Sequence, residues 1–343
     1  MNDQTLLLPA VNDPGHFADE PIAIDAGHSP ADRVFRAVTT AMGVTMLVIT
    51  GSIGIFLGLQ AIPTFGRYGI GFLTEVEWVP DQDKIGIAGV LVGTIEVATV
   101  AIAFALPLAL ATALYITEYA PHRLKPALIS LVDLMAAVPS IIWGIWGAYL
   151  IMPRALYVAH WLHLHFGWLP FFGVDTDPKA ADWAQSRYTS SVFMAGIAVA
   201  AMVLPMACAV MREVFDQTPI GEREAARALG ATRWGVIRTV VLPFGRGGIV
   251  GGSMLALGRA LGETISVLLI ISPVFEIKFN VLQTGTNTIS ALIATRASES
   301  TSAQLSALLT AGFVLFIITL GVNTVAAMFV ARGRSGSQTG DLT

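Results

Sequence analysis

A chain of 343 residues with 54% hydrophobic and only 13% charged residues departs from soluble domains, in which roughly 25% of residues are charged. Its mean hydropathy of +0.68 places it in a bilayer. The net charge of -4 marks no particular partner, because acids and bases are unevenly placed, and the single Cys208 excludes an intrachain disulfide. Inside an apolar run, that thiol reads as a buried structural group.

Residues 1–32 hold Pro, Gly, Asp and Glu but no basic leader or compact apolar core. They are not a signal peptide and read as a disordered, mildly acidic tail. Six stretches then reach the length of about 20 apolar residues that a spanning helix needs. They are 37–60, 86–116, 126–152, 190–211, 246–272 and 305–331. The second is longer than a perpendicular crossing requires, so it tilts, kinks at Pro107 or runs past the membrane surface.

Basic residues set the orientation. Arg33 and Arg36 precede the first span, Arg123 and Lys125 follow the second, and Arg332 and Arg334 follow the sixth. With Arg212, Arg223, Arg227, Arg233, Arg238 and Arg246 after the fourth, that side holds 12 of the 20 Lys and Arg. The opposite side holds Arg67, Lys84, Arg154, Lys179, Arg187, Lys278 and Arg296, spread over longer loops. Both termini are therefore expected in the cytoplasm. The predicted fold class is all-α integral membrane: one six-span domain over 33–334, a cytoplasmic loop at 213–245 and a short tail at 335–343.

Several polar residues interrupt the apolar segments. Glu96 in the second span has candidate partners in Arg259, another subunit or water, and a structural role is the simpler reading. Asp133 in the third span lies upstream of Pro139 and Ser140, where a proline frees carbonyls to line a polar path. The alternative for Asp133 is a structural contact at the cytoplasmic end. The external segment 153–189 holds Trp161, Trp168 and Trp183 with His160, His163 and His165. Its aromatics suit an interfacial belt or a short helix, while the histidines share no helical face and no cysteine completes a ligand set. In the last external loop, Asn280, Gln283, Thr284, Asn287, Thr288 and Ser290 could meet a binding protein or solvent. The glycine pairs Gly54 with Gly58 and Gly247 with Gly251 suit helix packing.

The loop from Glu224 to Pro243 reads EAARALGATRWGVIRTVVLP. Thr218-Pro219 offers a hydroxyl cap and a proline at the first helical position. The helix can run to Gly230, a left-handed terminator, and Thr232 can cap a second short helix ending before Pro243. Glu224, Arg227 and Ala228 would share one side, and Ala225, Ala226 and Leu229 a shallow apolar side suited to lying in a groove. An amphipathic loop resting on headgroups is the plain alternative. No Lys follows a Gly anywhere in the chain, so GxxxxGK[ST] is absent.

Beyond the loop, residues 247–272 read GGIVGGSMLALGRALGETISVLLIIS. Arg259 lies 12 residues past Gly247, roughly 18 Å along a helix and near the bilayer centre. Glu263 follows by one turn, so the two can pair on one face, flanked by the Gly258 and Gly262 packing step. One reading is a charge-compensated structural bridge. The other presents the Arg259 fork to an oxyanion in transit, with Glu263 neutralising it between transport events and favouring a protonated anion such as phosphate.

The order Glu224-Ala225-Ala226, Gly230, Val240, Leu242-Pro243 resembles the EAA signature of ABC-importer membrane subunits, departing only in Val240 where isoleucine is usual. GRALGETISVLL, with TEYAP at 117–121 and DLMAAVPSIIWGIWG at 133–147, is similar to the phosphate-specific importer permeases, more the PstC type than its PstA sister. The likeness covers residues 85–331 and implies a type I, MetI-like permease architecture and a role in phosphate uptake. It implies that Glu224, Ala225, Ala226, Arg227, Gly230, Leu242 and Pro243 seat an ATPase, and that Arg259 and Glu263 serve phosphate passage. The implied partners are a PstA-like second permease, an ATPase dimer that uses ATP and magnesium, an external phosphate-binding protein and lipid, without nucleic acid. No cofactor or metal is expected on this chain. A sulfate or molybdate permease and an ion-coupled carrier are the competing readings. An intramembrane enzyme would need a nucleophile and base set that Ser140, Asp133 and Glu96 do not form.

Overall fold

A computed structural model describes residues 30–174 and 185–334. The tail at 335–343, the tail at 1–32 except its last three residues, Lys179 and Trp183 lie outside that range. The chain divides into two compact units, residues 1–52 and 53–343. The described part of the first is residues 30–52, the beginning of α1 (Pro30–Tyr68), exposed throughout. The predicted first span lies within α1.

The second unit continues from α1 into α2 (Gly71–Thr74) and a small antiparallel hairpin, β1 (Trp78–Val79) and β2 (Lys84–Ile85). The hairpin is an addition to the all-α expectation. Asp83 turns it at φ 58° and accepts from the Tyr68 hydroxyl at 2.6 Å while pairing with Arg67 at 2.8 Å. Phe72, Trp78, Ile85 and Ile87 bury this end against Ile289, Leu292 and Leu308.

Next comes α3 (Ala88–Leu114), extended by a wide turn at Tyr115–Tyr119. Pro107 lies inside it without a break, so the extra length of the second span is helix. The third predicted span is corrected. α4 (Lys125–Ala137) stops at Val138, whose ψ of 128° is the extended backbone a following proline imposes. The helix restarts as α5 (Ser140–Trp146) and passes through a wide turn at Gly147–Ile151 into α6 (Met152–Phe166). The apolar crossing is thus Ser140–Phe166, shifted well beyond 126–152.

α7 (Val192–Asp216) packs along α3. Ala101, Ala105, Ala109 and Ala113, four apart on α3, are wholly buried, as are Ala195, Ala198 and Ala207 on α7. Small side chains let two helices approach closely where lipid supplies no hydrophobic drive. The chain then forms α8 (Ile220–Ala228), α9 (Arg233–Val236), a wide turn at Ile237–Val241, α10 (Leu242–Phe244) and α11 (Arg246–Leu261).

The fifth predicted span is also corrected: it is not one helix. α11 ends at Leu261, and after Gly262, Glu263 and Thr264 only the short α12 (Ile265–Leu268) follows. α13 (Ile289–Arg296) and α14 (Ser302–Arg334) complete the fold. Among the described residues five helices are long and apolar enough to cross a membrane. There are six if Arg233–Phe244 and Arg246–Leu261, bent by 68°, act as one.

Candidate functional site

The loop after α7 is built by short-range hydrogen bonds. Gly230 adopts φ +85°, and its N–H donates to Arg227 O at 2.9 Å while Ala231 N–H reaches Ala226 O at 3.0 Å. That pair of bonds closes α8 as a Schellman turn, with Ala226 and Ala231 as its apolar contact against the core. Thr232 caps α9 by accepting from Gly235 N–H at 3.1 Å. Thr218 does not cap α8. Pro219 holds the cap position, and the buried Thr218 hydroxyl has no hydrogen-bond partner. The second helical piece also runs on through Pro243 to Phe244.

The faces of α8 differ from the expectation. Ala226 turns inward with Arg223, whereas Glu224, Ala225, Arg227 and Ala228 are exposed. Leu229 is 90% exposed, Ile220 72% and Trp234 58%. Three large apolar side chains beside exposed charges on one loop suit contact with another protein or with the membrane surface.

Ion pairs fasten the end of α7 and the loop that follows it to neighbouring elements. Lys125 at the start of α4 meets Asp216 at 2.7 Å, and Asp133 pairs with Arg212 of α7 at 3.7 Å. Asp133 therefore sits in a polar contact between α4 and α7. Arg223 was counted in the sequence only as one basic residue among many. Its Nη1 lies 3.1 Å from Oε1 of Glu118, the acid of TEYAP, and its Nη2 donates to Phe215 O at 2.6 Å. No local pattern shows this pair, because its members are 105 positions apart (223 − 118).

Two of the proposed pathway residues meet where helices are broken. The Glu263 carboxylate accepts from Ser266 N–H at 3.1 Å, capping α12, and its own carbonyl accepts from the Ser290 hydroxyl at 3.1 Å. The buried Ser266 hydroxyl donates to Ser140 O at 2.6 Å. The break before Ser140 and the break at Glu263 are thus bonded to each other. Gly144 makes this approach possible, since a Cβ there would stand 2.7 Å from Ser266 Cα.

Arg259 is placed apart from Glu263. Helix termination at Leu261 removes the shared face, and among the described residues Arg259 makes no ion pair. It is exposed in the last turn of α11, at the wall of an open groove of about 960 Å³. Met206 of α7, Gly258 and Leu255 of α11, and Thr319 and Asn323 of α14 also line it. Asn323 was missed, although an amide inside an apolar span is itself a signal of function. Glu96 has a buried carboxylate oxygen without a hydrogen-bond partner.

The polar residues of the 280–290 segment hold the chain together. Asn280 Nδ2 donates to Gln283 Oε1, Thr288 caps α13 through Ala291 N–H, and Ile289 N–H reaches Thr94 Oγ1 of α3 at 3.0 Å. The histidines likewise find local partners: His163 Nδ1 lies 3.0 Å from Phe172 O, and the His165 ring stacks on Trp161.

Residues 105–335 match the profile of the binding-protein-dependent transport system inner membrane components. The chain is 38% identical over 307 residues to the phosphate transport system permease protein PstC 2 of Mycobacterium tuberculosis, covering 88% of this chain and 92% of that one. It is 36% identical over 314 residues to the PstC permease of Xylella fastidiosa, covering 90% and 93%. Among solved structures, a bacterial ABC transporter that imports the acidic polysaccharide alginate aligns with a TM-score of 0.56 at 16% identity, over 88% of this chain and 96% of that one. The inward-facing methionine transporter MetNI aligns with a TM-score of 0.51 at 15% identity, over 72% and 95%.

Proposed function

The chain belongs to the binding-protein-dependent transport system inner membrane components, and from that premise we propose that it carries inorganic phosphate. It is a multi-pass subunit of the inner membrane and one half of the translocation path of an ATP-driven importer of the PstC type. Relatives named for phosphate transport, matching about nine-tenths of the chain, favour phosphate over sulfate or molybdate. Transport by this family requires a second permease, an ATPase and an external binding protein. The finer assignment is a PstA-like sister, an ATPase dimer holding ATP and magnesium, and docking on the cytoplasmic face at α8, with Glu224, Ala225, Arg227 and Gly230 at the contact.

Arg259 carries the reading of the pathway. A guanidinium with no ion pair among the described residues, at the wall of a mostly apolar groove, costs at least about 2.5–3.5 kcal/mol in a membrane. A transported oxyanion relieves that cost through two parallel N–H donors. The Glu263 carboxylate caps the first turn of α12 and its carbonyl ties the break to α13, while Ser266 joins the same break to Ser140, so Glu263 and Ser140 order the segment that follows Arg259. Closure of the ATPase moves α8, the attached helices tilt, and Arg259 is exposed first outward and then inward.

The test is phosphate uptake in proteoliposomes containing both permeases, the ATPase and the binding protein. Arg259→Gln is expected to assemble and hydrolyse ATP while uptake falls about a hundredfold, the usual scale for loss of one preorganised anion donor. A complex that falls apart instead would make Arg259 a structural bridge and place the anion site elsewhere.

A further inference from the structure

The Glu118–Arg223 contact joins three elements at one guanidinium. Its side chains are only 5% and 16% exposed, and the Arg223 fork reaches the end of α3 through Glu118 and the end of α7 through Phe215 O. Glu118 belongs to the wide turn that ends α3, where Ile116 is buried too. The charge contact at 3.1 Å is not an aligned hydrogen bond, since Glu118 Oε1 has no hydrogen-bond partner.

A buried ion pair is weak support for stability, because desolvation offsets much of the attraction. Its geometry is more informative. The core contacts of α8 and its turn are the small side chains of Ala226 and Ala231, with α9 and the Ile237–Val241 turn beside it, and only Gln217, Thr218 and Pro219 link α8 to α7. A planar fork with a hydrogen bond to the end of α7 and a charge contact to the end of α3 fixes both the position and the direction of α8. α3 and α7 pack along each other, and α7 reaches the groove of Arg259 through Met206.

We infer that Arg223 is the strut that transmits movement of α8 to α3 and α7, a positioning residue for coupling rather than for docking. The inference rests on the reading of α8 as the ATPase seat. Without the strut, motion of α8 is absorbed by the three-residue link and ATP is hydrolysed with little transport.

The assembled transporter in proteoliposomes provides the test, with phosphate uptake, ATP hydrolysis and retained ATPase measured together. Arg223→Gln is expected to keep the ATPase bound and to raise the ATP consumed per phosphate about tenfold, with the half-saturating phosphate concentration unchanged. Arg223→Lys keeps the charge but lacks the fork that meets both helix ends, so it is expected to assemble and still uncouple. Glu118→Gln leaves the Phe215 bond and should uncouple less. Normal ATP per phosphate in an assembled Arg223→Lys complex would overturn the inference, as would losses of hydrolysis and uptake that merely follow the amount of complex. Leu229→Asp tests the docking reading separately. If it retains the ATPase, that reading fails; if it releases the ATPase while Arg223→Lys couples normally, only the strut fails.

Discussion

Gly230 holds the α8–α9 turn at φ +85°, a conformation that costs an L-residue roughly 1–2 kcal/mol. Nothing stands within 4 Å of where its Cβ would be, so the penalty of Gly230→Ala is backbone strain and not a clash. Retention of the ATPase by the purified complex is expected to fall about five- to tenfold, with the variant's abundance in the membrane unchanged. Equal retention would remove Gly230 from the docking geometry. Such local chemistry was legible in the chain, and Gly230 and Thr232 take the conformations their residue types suggest. Thr218 was misread because a hydroxyl before a proline fits a cap as well as a buried site. Arg223 was passed over because its meaning depends on a distant carboxylate.

At the scale of elements, three wide turns follow one rule. Ala120 N–H donates to Tyr115 O, Met152 to Gly147 O and Leu242 to Ile237 O, each five residues back. Each donor immediately precedes a proline: Pro121, Pro153 and Pro243. Proline lacks an N–H, and its ring crowds the carbonyl four residues back. Opening the preceding turn by one residue relieves that crowding while keeping the last available donor bonded. Pro243→Ala should let the Ile237–Val241 turn close to α register, rotating residues 233–241 by about 100° relative to α11. Labelling of Ile237→Cys, buried at 1% exposure, should then rise sharply over the same cysteine beside Pro243. Unchanged labelling would show that the turn is held by packing. A proline announces an interruption in sequence; whether the helix breaks, as at Pro139, widens, as at Pro243, or continues, as at Pro107, depends on neighbours that periodicity does not report.

For the whole molecule, hydropathy located the apolar segments but not how they are divided. The runs 126–152 and 246–272 look continuous because carbonyls freed at a break leave no trace in composition. Ser140, Glu263 and Ser266 reconnect those breaks by hydrogen bonds that only the fold brings together. The two ends of the protein also differ in electrostatic character. The Glu118–Arg223 pair is largely shielded, its side chains 5% and 16% exposed, whereas the Arg67–Asp83 pair at the hairpin is more than half exposed. The Tyr68 hydroxyl and the Arg67 guanidinium hold the Asp83 carboxyl below its ordinary range. A lowered carboxylate stabilises the fold above its unfolded pKa of about 3.9 and loses that contribution as pH falls through the lower folded value. The melting-temperature difference between the wild-type complex and Asp83→Asn should therefore be present at neutral pH and vanish as pH falls through the lowered folded-state value. A difference that persists in acid would assign Asp83 a role in the hairpin turn independent of its charge.

The bond between the two breaks also bears on how the chain is made. α11, with 16 residues, extends about 24 Å, less than the roughly 30 Å of hydrocarbon, and the crossing that follows the first break begins at Ser140 itself. Synthesis proceeds from the N-terminus, and Ser266 lies 126 residues after Ser140. The carbonyl at the first break therefore leaves the ribosome long before its native donor exists. Until the second break is synthesised and threaded beside it, water, lipid headgroup or insertion machinery has to serve that carbonyl, so the native path through the membrane is completed late in the life of the nascent chain.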